Sequence, residues 1–246
     1  MAGWRGKGAV MARTGMFGEV YELLNPALPA DRARIAAAPD LLAEALGLAA
    51  QPAAPRVLDF GCGAGSGVDT IRALIPDAAY DGVDIDTSPE VDARKRRDAR
   101  FHSFDGVNLP FPDDGFDIVY SRQVFEHVRH PDAAVADIFR VLRPGGLFAG
   151  SMSNLEPYHS YSIFNYTPYG VYRLLSDNGF RLIRMRPGPE GFGLTIRQIT
   201  LRRIGRARLV YPMVAAAEAL GRIDTRQANF LKLRFSGHIC FAALKP

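Results

Sequence analysis

Cysteine is scarce: Cys62 and Cys240 are the only two in 246 residues. They make neither a disulfide framework nor a cysteine-based zinc site. The five histidines are scattered, and none falls in a His-Glu-x-x-His spacing, so no metal site is predicted. No stretch reaches the roughly 18 uncharged apolar residues that a membrane-spanning helix needs. Residues 1–15 carry Arg5, Lys7 and Arg13 but no apolar core of a signal peptide, which predicts a cytoplasmic protein. Internal repeats and low-complexity tracts are also missing. What remains is ordinary for a globular chain, with 48% hydrophobic and 23% charged residues. The length suits one large α/β domain, or one domain with an insert.

The net charge of +4 hides an asymmetry. Residues 181–234 hold 12 basic and 3 acidic side chains, and the rest of the chain is net acidic. Such a stretch is either a solvated arginine-rich surface or a face for an anionic partner, such as an acidic substrate or a membrane surface. Phe192, Tyr211, Phe230 and Phe235 are too few for a base-stacking platform, so nucleic acid ranks last.

The most informative run is Val57-Leu58-Asp59-Phe60-Gly61-Cys62-Gly63-Ala64-Gly65. An apolar strand ends in an acid, and glycine then recurs at every second position. Such a loop lets backbone approach a ligand closely and marks the nucleotide site of an open α/β sheet. Ser66 stands where a dinucleotide fold would want its third glycine. The charge of Asp59 would repel the pyrophosphate of NAD or ATP. It would attract a ligand carrying an ammonium and a sulfonium, as S-adenosyl-L-methionine (SAM) does.

From Pro55 onward short apolar strands alternate with helices, the signature of βαβ units. Strands are predicted at 56–60, 80–85, 100–104, 116–121, 147–153, 181–185 and 238–244. Helices are predicted at 66–74, 88–97, 132–142 and 168–178, with Arg143-Pro144-Gly145-Gly146 ending the third. Residues 1–54 read as a helical lid or cap, Asp40 capping a helix over 41–48. Residues 55–246 read as the ligand-binding domain, with a basic helical insert at about 189–235.

Asp84 lies 23 residues after Gly61 at a strand end, close to the spacing at which an acid grips ribose hydroxyls. Asp86 is the alternative. Asp105 follows the third strand, where it could accept from an adenine amino group. With Asp113-Asp114-Gly115-Phe116-Asp117-Ile118-Val119 and Arg140-Val141-Leu142-Arg143-Pro144-Gly145-Gly146, these motifs give the chain a family likeness. It resembles the class I SAM-dependent methyltransferases, in particular the group that includes the ubiquinone/menaquinone-pathway enzymes, closely over about residues 55–153. The resemblance implies a Rossmann-like α/β fold with a seven-stranded, mostly parallel sheet and an antiparallel last strand. It implies SAM as cofactor, held by Asp59 at the methionine ammonium and by Gly61 and Gly63 along the backbone. Asp84 would bind the ribose and Ile85 would pack on the adenine. Asp105 and the Gly106 backbone would read the adenine edge, and Ser121 would lie near the methionine.

Phe125-Glu126-His127 follows the fourth strand, at the edge where open sheets bind ligands. His127 is either a general base for a hydroxyl nucleophile or a histidine packing the helix start. Tyr158 and His159 are second candidates on the substrate side. His102, His130 and His238 read as structural. Trp4, Met16, Phe17 and Tyr21 belong either to a lid over the cofactor or to a frayed terminus. Residues 154–169, rich in hydroxyls, amides and aromatic rings, suit a polyol or sugar. The expected activity is O-methylation of a hydroxylated small molecule or saccharide. The alternatives are C- or N-methylation of a metabolite, a non-catalytic SAM-binding subunit, and a nicotinamide-dependent dehydrogenase, which Asp59 disfavours.

Overall fold

The run Arg56–Phe60 forms β1, the strand from which the sheet grows on both sides. The structure, a computed structural model, describes residues 17–33, 37–203 and 208–246. The other strands are β2 (Ala79–Ile85), β3 (Arg100–Phe104), β4 (Phe116–Arg122), β5 (Leu142–Ser153), β6 (Arg181–Pro187) and β7 (His238–Leu244). Their order is β3-β2-β1-β4-β5-β7-β6. The pairs from β3 through to β5 are parallel, and β7 is antiparallel to both its neighbours. This is the seven-stranded, mostly parallel Rossmann-like sheet that the motifs predict.

Helices cover both faces. They are α1 (Gly18–Leu24), α2 (Ala38–Leu46), α3 (Gly67–Leu74), α4 (Pro89–Asp92), α5 (Pro131–Val141), α6 (Pro168–Asp177), α7 (Gly191–Ile199), α8 (Val210–Ala219) and α9 (Thr225–Arg234). Successive strand side chains point to opposite faces. Leu58, Phe60, Val119 and Phe148 therefore meet α1, α5 and α6 in one core, and Val57, Ile118, Tyr120 and Leu147 meet α2 and α3 in another. In α5 the buried positions 134, 135, 138 and 141 recur at helical spacing behind Pro131 in the first turn. In α6 the hydroxyl of Thr167 accepts the Gly170 N–H at 3.0 Å and starts the helix.

Three boundaries differ from the sequence pattern. The helix predicted at 88–97 stops at Asp92. None of its residues is buried, so no apolar face sustains it. The fifth strand begins at Leu142 and takes in Arg143–Gly146, because Leu142 pairs with Phe116 across a bulge. The cap at Asp40 also shifts. Pro39 starts the helix one turn earlier, and Asp40 reaches back to accept the Ala37 N–H at 3.1 Å.

Residues 189–235 hold α7, α8 and α9. Two arginines of the basic stretch, Arg184 and Arg186, are paired inside the fold. Arg186 is buried and binds Asp31 and Glu44 at 2.8 Å each. Arg32 binds Glu218 at 2.9 Å, and the Asn229 amide donates to the carbonyls of Pro29 and Asp31. The N-terminal segment is thereby tied to β6 and α9. Trp4 and Met16 lie outside the described residues. Phe17 and Tyr21 meet Phe230 of α9 edge-on. No residue of 17–33 lines the cavity at the carboxyl ends of the strands. Among the described residues no helix is long and apolar enough to cross a membrane.

Candidate active site

β2 and β4 flank β1 on opposite sides, so the connections leave β1 and β4 in opposite directions and open a crevice at their carboxyl ends. A cavity of about 580 Å³ occupies that crevice. Its walls include Asp59, the glycine loop, Asp84, Ile85, Arg122, Gln123, His127, His159 and Tyr161.

The loop has little freedom to carry side chains. Gly61 has φ +74°, and a Cβ there would overlap the Val124 side chain. Gly67 has no unusual dihedral, yet a Cβ there would collide with the Asp59 carboxylate. That close approach seats the acid beneath the first turn of α3. Outside the loop, Arg94 Nε donates to the Gly63 carbonyl at 2.7 Å and Arg96 Nη1 to that of Gly65 at 2.9 Å. Both arginines lie in the stretch that leaves the helical path after α4. Their side chains hold the loop in place.

Asp59 is 4% exposed and accepts the Tyr80 hydroxyl at 2.6 Å. Burial pushes its carboxyl up to about 6, against the Tyr80 hydrogen bond and the positive charge of Arg122. Asp84 accepts the Gly63 N–H at 2.6 Å and the Ile85 N–H at 2.8 Å. Burial also raises Asp84, and the two backbone bonds oppose the rise. Ile85 is 43% exposed and presents an apolar face on the cavity wall.

The remaining cofactor candidates stand apart. Asp105 accepts from the N–H groups of Val107 and Asn108 and from the Asn108 amide, in the turn that contains Gly106. These bonds hold its carboxyl below the usual range. Neither Asp105 nor Gly106 lines the cavity, and nor does Asp86. Ser121 is buried between Tyr120 and Arg122, both of which line it. Strand alternation turns Ser121 to the opposite side.

Across the cavity, His127 and His159 come together with ring centroids 5.3 Å apart and planes at 85°. Their loops are joined by backbone bonds, since the Glu126 carbonyl accepts the N–H groups of Ile163 at 2.6 Å and Phe164 at 3.1 Å. Glu126 itself is buried, and burial raises its carboxyl. Tyr158 is 78% exposed and does not line the cavity, whereas Ser160 and Tyr161 do. His102 is held by Asp81 at 3.0 Å and His238 lies 3.8 Å from Glu156, consistent with structural roles. The sequence pattern gives no role to Arg122, Gln123 or Glu126. Gln123 adopts φ +55°, a strained conformation for a side-chain-bearing residue, and donates to Glu156 at 2.6 Å. That strain has no signature in residue type.

Residues 58–150, which carry the loop, the strand tips and His127, match the family model described as a methyltransferase domain. Over these residues the chain carries a methyltransferase domain. This domain is 34% identical over 96 residues to the fatty-acid O-methyltransferase of Mycolicibacterium smegmatis, covering 38% of this chain and 35% of the relative. It is 33% identical over 96 residues to the phthiotriol/phenolphthiotriol dimycocerosates methyltransferase of Mycobacterium tuberculosis, covering 38% and 36%. The alignments thus take in 35% and 36% of the relatives' own length. The solved structure of the [4+2]-cyclase SpnF superposes with a TM-score of 0.55 at 22% identity, covering 85% of this chain and 80% of that one. That likeness is one of fold. SAM is the methyl donor of this domain family, and the cradle fits it. A buried acid for a cation, a carboxylate with two acceptor oxygens for a diol and an apolar wall at Ile85 lie on one cavity.

Proposed function

We propose that the protein is a SAM-dependent methyltransferase that methylates an oxygen of a hydroxylated small molecule or saccharide. The observation that carries this reading is one cavity with an acidic cradle on one wall and two imidazoles on the other. Asp59 and Asp84 bind the donor by charge and by hydroxyl hydrogen bonds, and the glycine loop admits it to the backbone. The donor supplies an electrophilic methyl on a sulfonium, itself a good leaving group. What the protein adds is alignment, for which roughly 7–11 kcal/mol of barrier is available when two reactants are held in attack geometry. His127 and His159 line the acceptor side and govern the protonation of the incoming oxygen. Ser160 and Tyr161 add hydroxyls to the same wall. The fatty-acid O-methyltransferase relative favours oxygen as the methylated atom. The basic surplus of residues 181–234 favours an acceptor bearing an anionic group.

The test is methyl transfer from labelled SAM to a panel of polyols, sugars and hydroxylated acids. The expected result is acceptor-dependent label in an O-methyl product, located by mass spectrometry. Label on carbon or nitrogen would reassign the acceptor atom. Failure to bind SAM by calorimetry would overturn the reading as a whole.

A further inference from the structure

We propose that Glu126, His127 and His159 form a binding site for a divalent cation of borderline softness, such as Zn²⁺. One donor atom from each side chain lies within 4.8 Å of the other two. Two imidazole nitrogens and one carboxylate oxygen suit that class of cation, whereas Mg²⁺ and Ca²⁺ favour sites made wholly of oxygen.

Glu126 provides the independent sign of a ligand. Its side chain is fully buried, and Oε2 has no hydrogen-bond partner. A carboxylate oxygen withdrawn from water and left unpaired is costly, and coordination is one of the few ways to satisfy it. The other oxygen, Oε1, accepts the Ser153 hydroxyl at 3.0 Å, the kind of outer contact that orients a metal-ligating carboxylate. His159 Nε2 stands 3.8 Å from Oε1, too far for a hydrogen bond. Two ligands each about 2.0–2.2 Å from one cation stand within ~4 Å of each other. The backbone bonds from Ile163 and Phe164 to the Glu126 carbonyl hold the His159 loop at this spot.

Both histidines line the crevice cavity, so a cation held here keeps open positions toward it. Three protein ligands with a free position is the pattern of a catalytic site. With the cation bound, the two imidazoles act as its ligands and not as bases: an acceptor oxygen occupying that position is fixed and acidified, and its proton passes to solvent water. This purpose rests on the methyl-transfer reading, but binding of the cation does not.

The test is calorimetric titration of the metal-stripped full chain with Zn²⁺, alongside the visible spectrum of the Co²⁺ form, with neither SAM nor acceptor present. One equivalent should bind, and Co²⁺ should give the absorption of nitrogen–oxygen coordination. H127A and H159A should each weaken binding by at least about tenfold. His159 is partly exposed, so H159A keeps the fold even if a change at Glu126 does not. The absence of stoichiometric binding would overturn the proposal, as would wild-type affinity in H127A and H159A. SAM affinity measured in parallel separates the two readings, because either site can fail while the other binds.

Discussion

The two walls of the cavity are built in different ways. The wall proposed to hold the donor comes from a strand tip, a glycine loop and the neighbouring strand tip, and runs on through residues 87–90. Side chains from Arg94 and Arg96 brace its loop at the carbonyls of Gly63 and Gly65. The wall proposed to face the acceptor joins His127 to His159 through a loop that returns to pair with the Glu126 carbonyl. The first wall is specified by local chemistry, so it serves any reaction of one donor. The second depends on where a long loop lands, so it can change with the substrate while the sheet stays the same.

Variants can break this division or sharpen it. Asp84→Ala should have the largest effect. It removes the acceptor of two hydroxyl bonds, so SAM affinity by calorimetry should fall by on the order of a hundredfold while the melting curve still shows a folded protein. Unchanged affinity would remove Asp84 from the donor wall. His127→Ala should slow turnover by at least about tenfold with SAM affinity unchanged. A parallel loss of SAM affinity would mean that the walls are not separate.

The third prediction concerns pH. Burial raises the Asp59 carboxyl from 3.8 to about 6 in the folded chain. The folded state therefore holds a proton that the unfolded state has already lost between those values. The stability contributed by this group is present below about 4 and declines as pH rises toward 6. SAM affinity should change in the opposite sense, since a cation needs the ionised acid. Binding should be about tenfold weaker at pH 5 than at pH 8, and Asp59→Asn should flatten the profile. A wild-type profile without that slope would place the donor's charge elsewhere. The smallest effect is expected from Arg94→Ala. It loses the bond to the Gly63 carbonyl, worth about 1.5–3 kcal/mol at most for a charged donor, and a weaker one to Cys62 Sγ, and should weaken SAM several-fold without altering turnover at saturation.

The same division explains what was legible in the sequence. Glycine spacing, an acid at the end of an apolar run and a second acid after the next strand are local signals, and the structure brings Asp59, Gly61, Gly63, Asp84 and Ile85 to one cavity. Strand alternation was equally readable in principle, yet a motif alone does not say which way Ser121 faces. Asp105 is another case of local competition, because a short acid followed by free backbone N–H groups caps its own turn. Glu126 carries no sequence signal. Its importance comes from burial, and burial depends on a loop more than thirty residues further on. The helix predicted at 88–97 fails for the complementary reason, since charged residues with good helix propensity had no core to meet.

The guanidinium of Arg186 sets a limit on dissection. It is enclosed by carboxylates that come from residues 31 and 44, ahead of the first strand. Neutralising both carboxylates, as in D31N/E44Q, would strand a positive charge in a dry site, a penalty of about 3–5 kcal/mol when a buried pair loses one member. The opening segment therefore acts as a counterion for the far edge of the sheet. Expression of a fragment that begins at β1 should give insoluble material, because it loses these carboxylates together with the apolar face of α2.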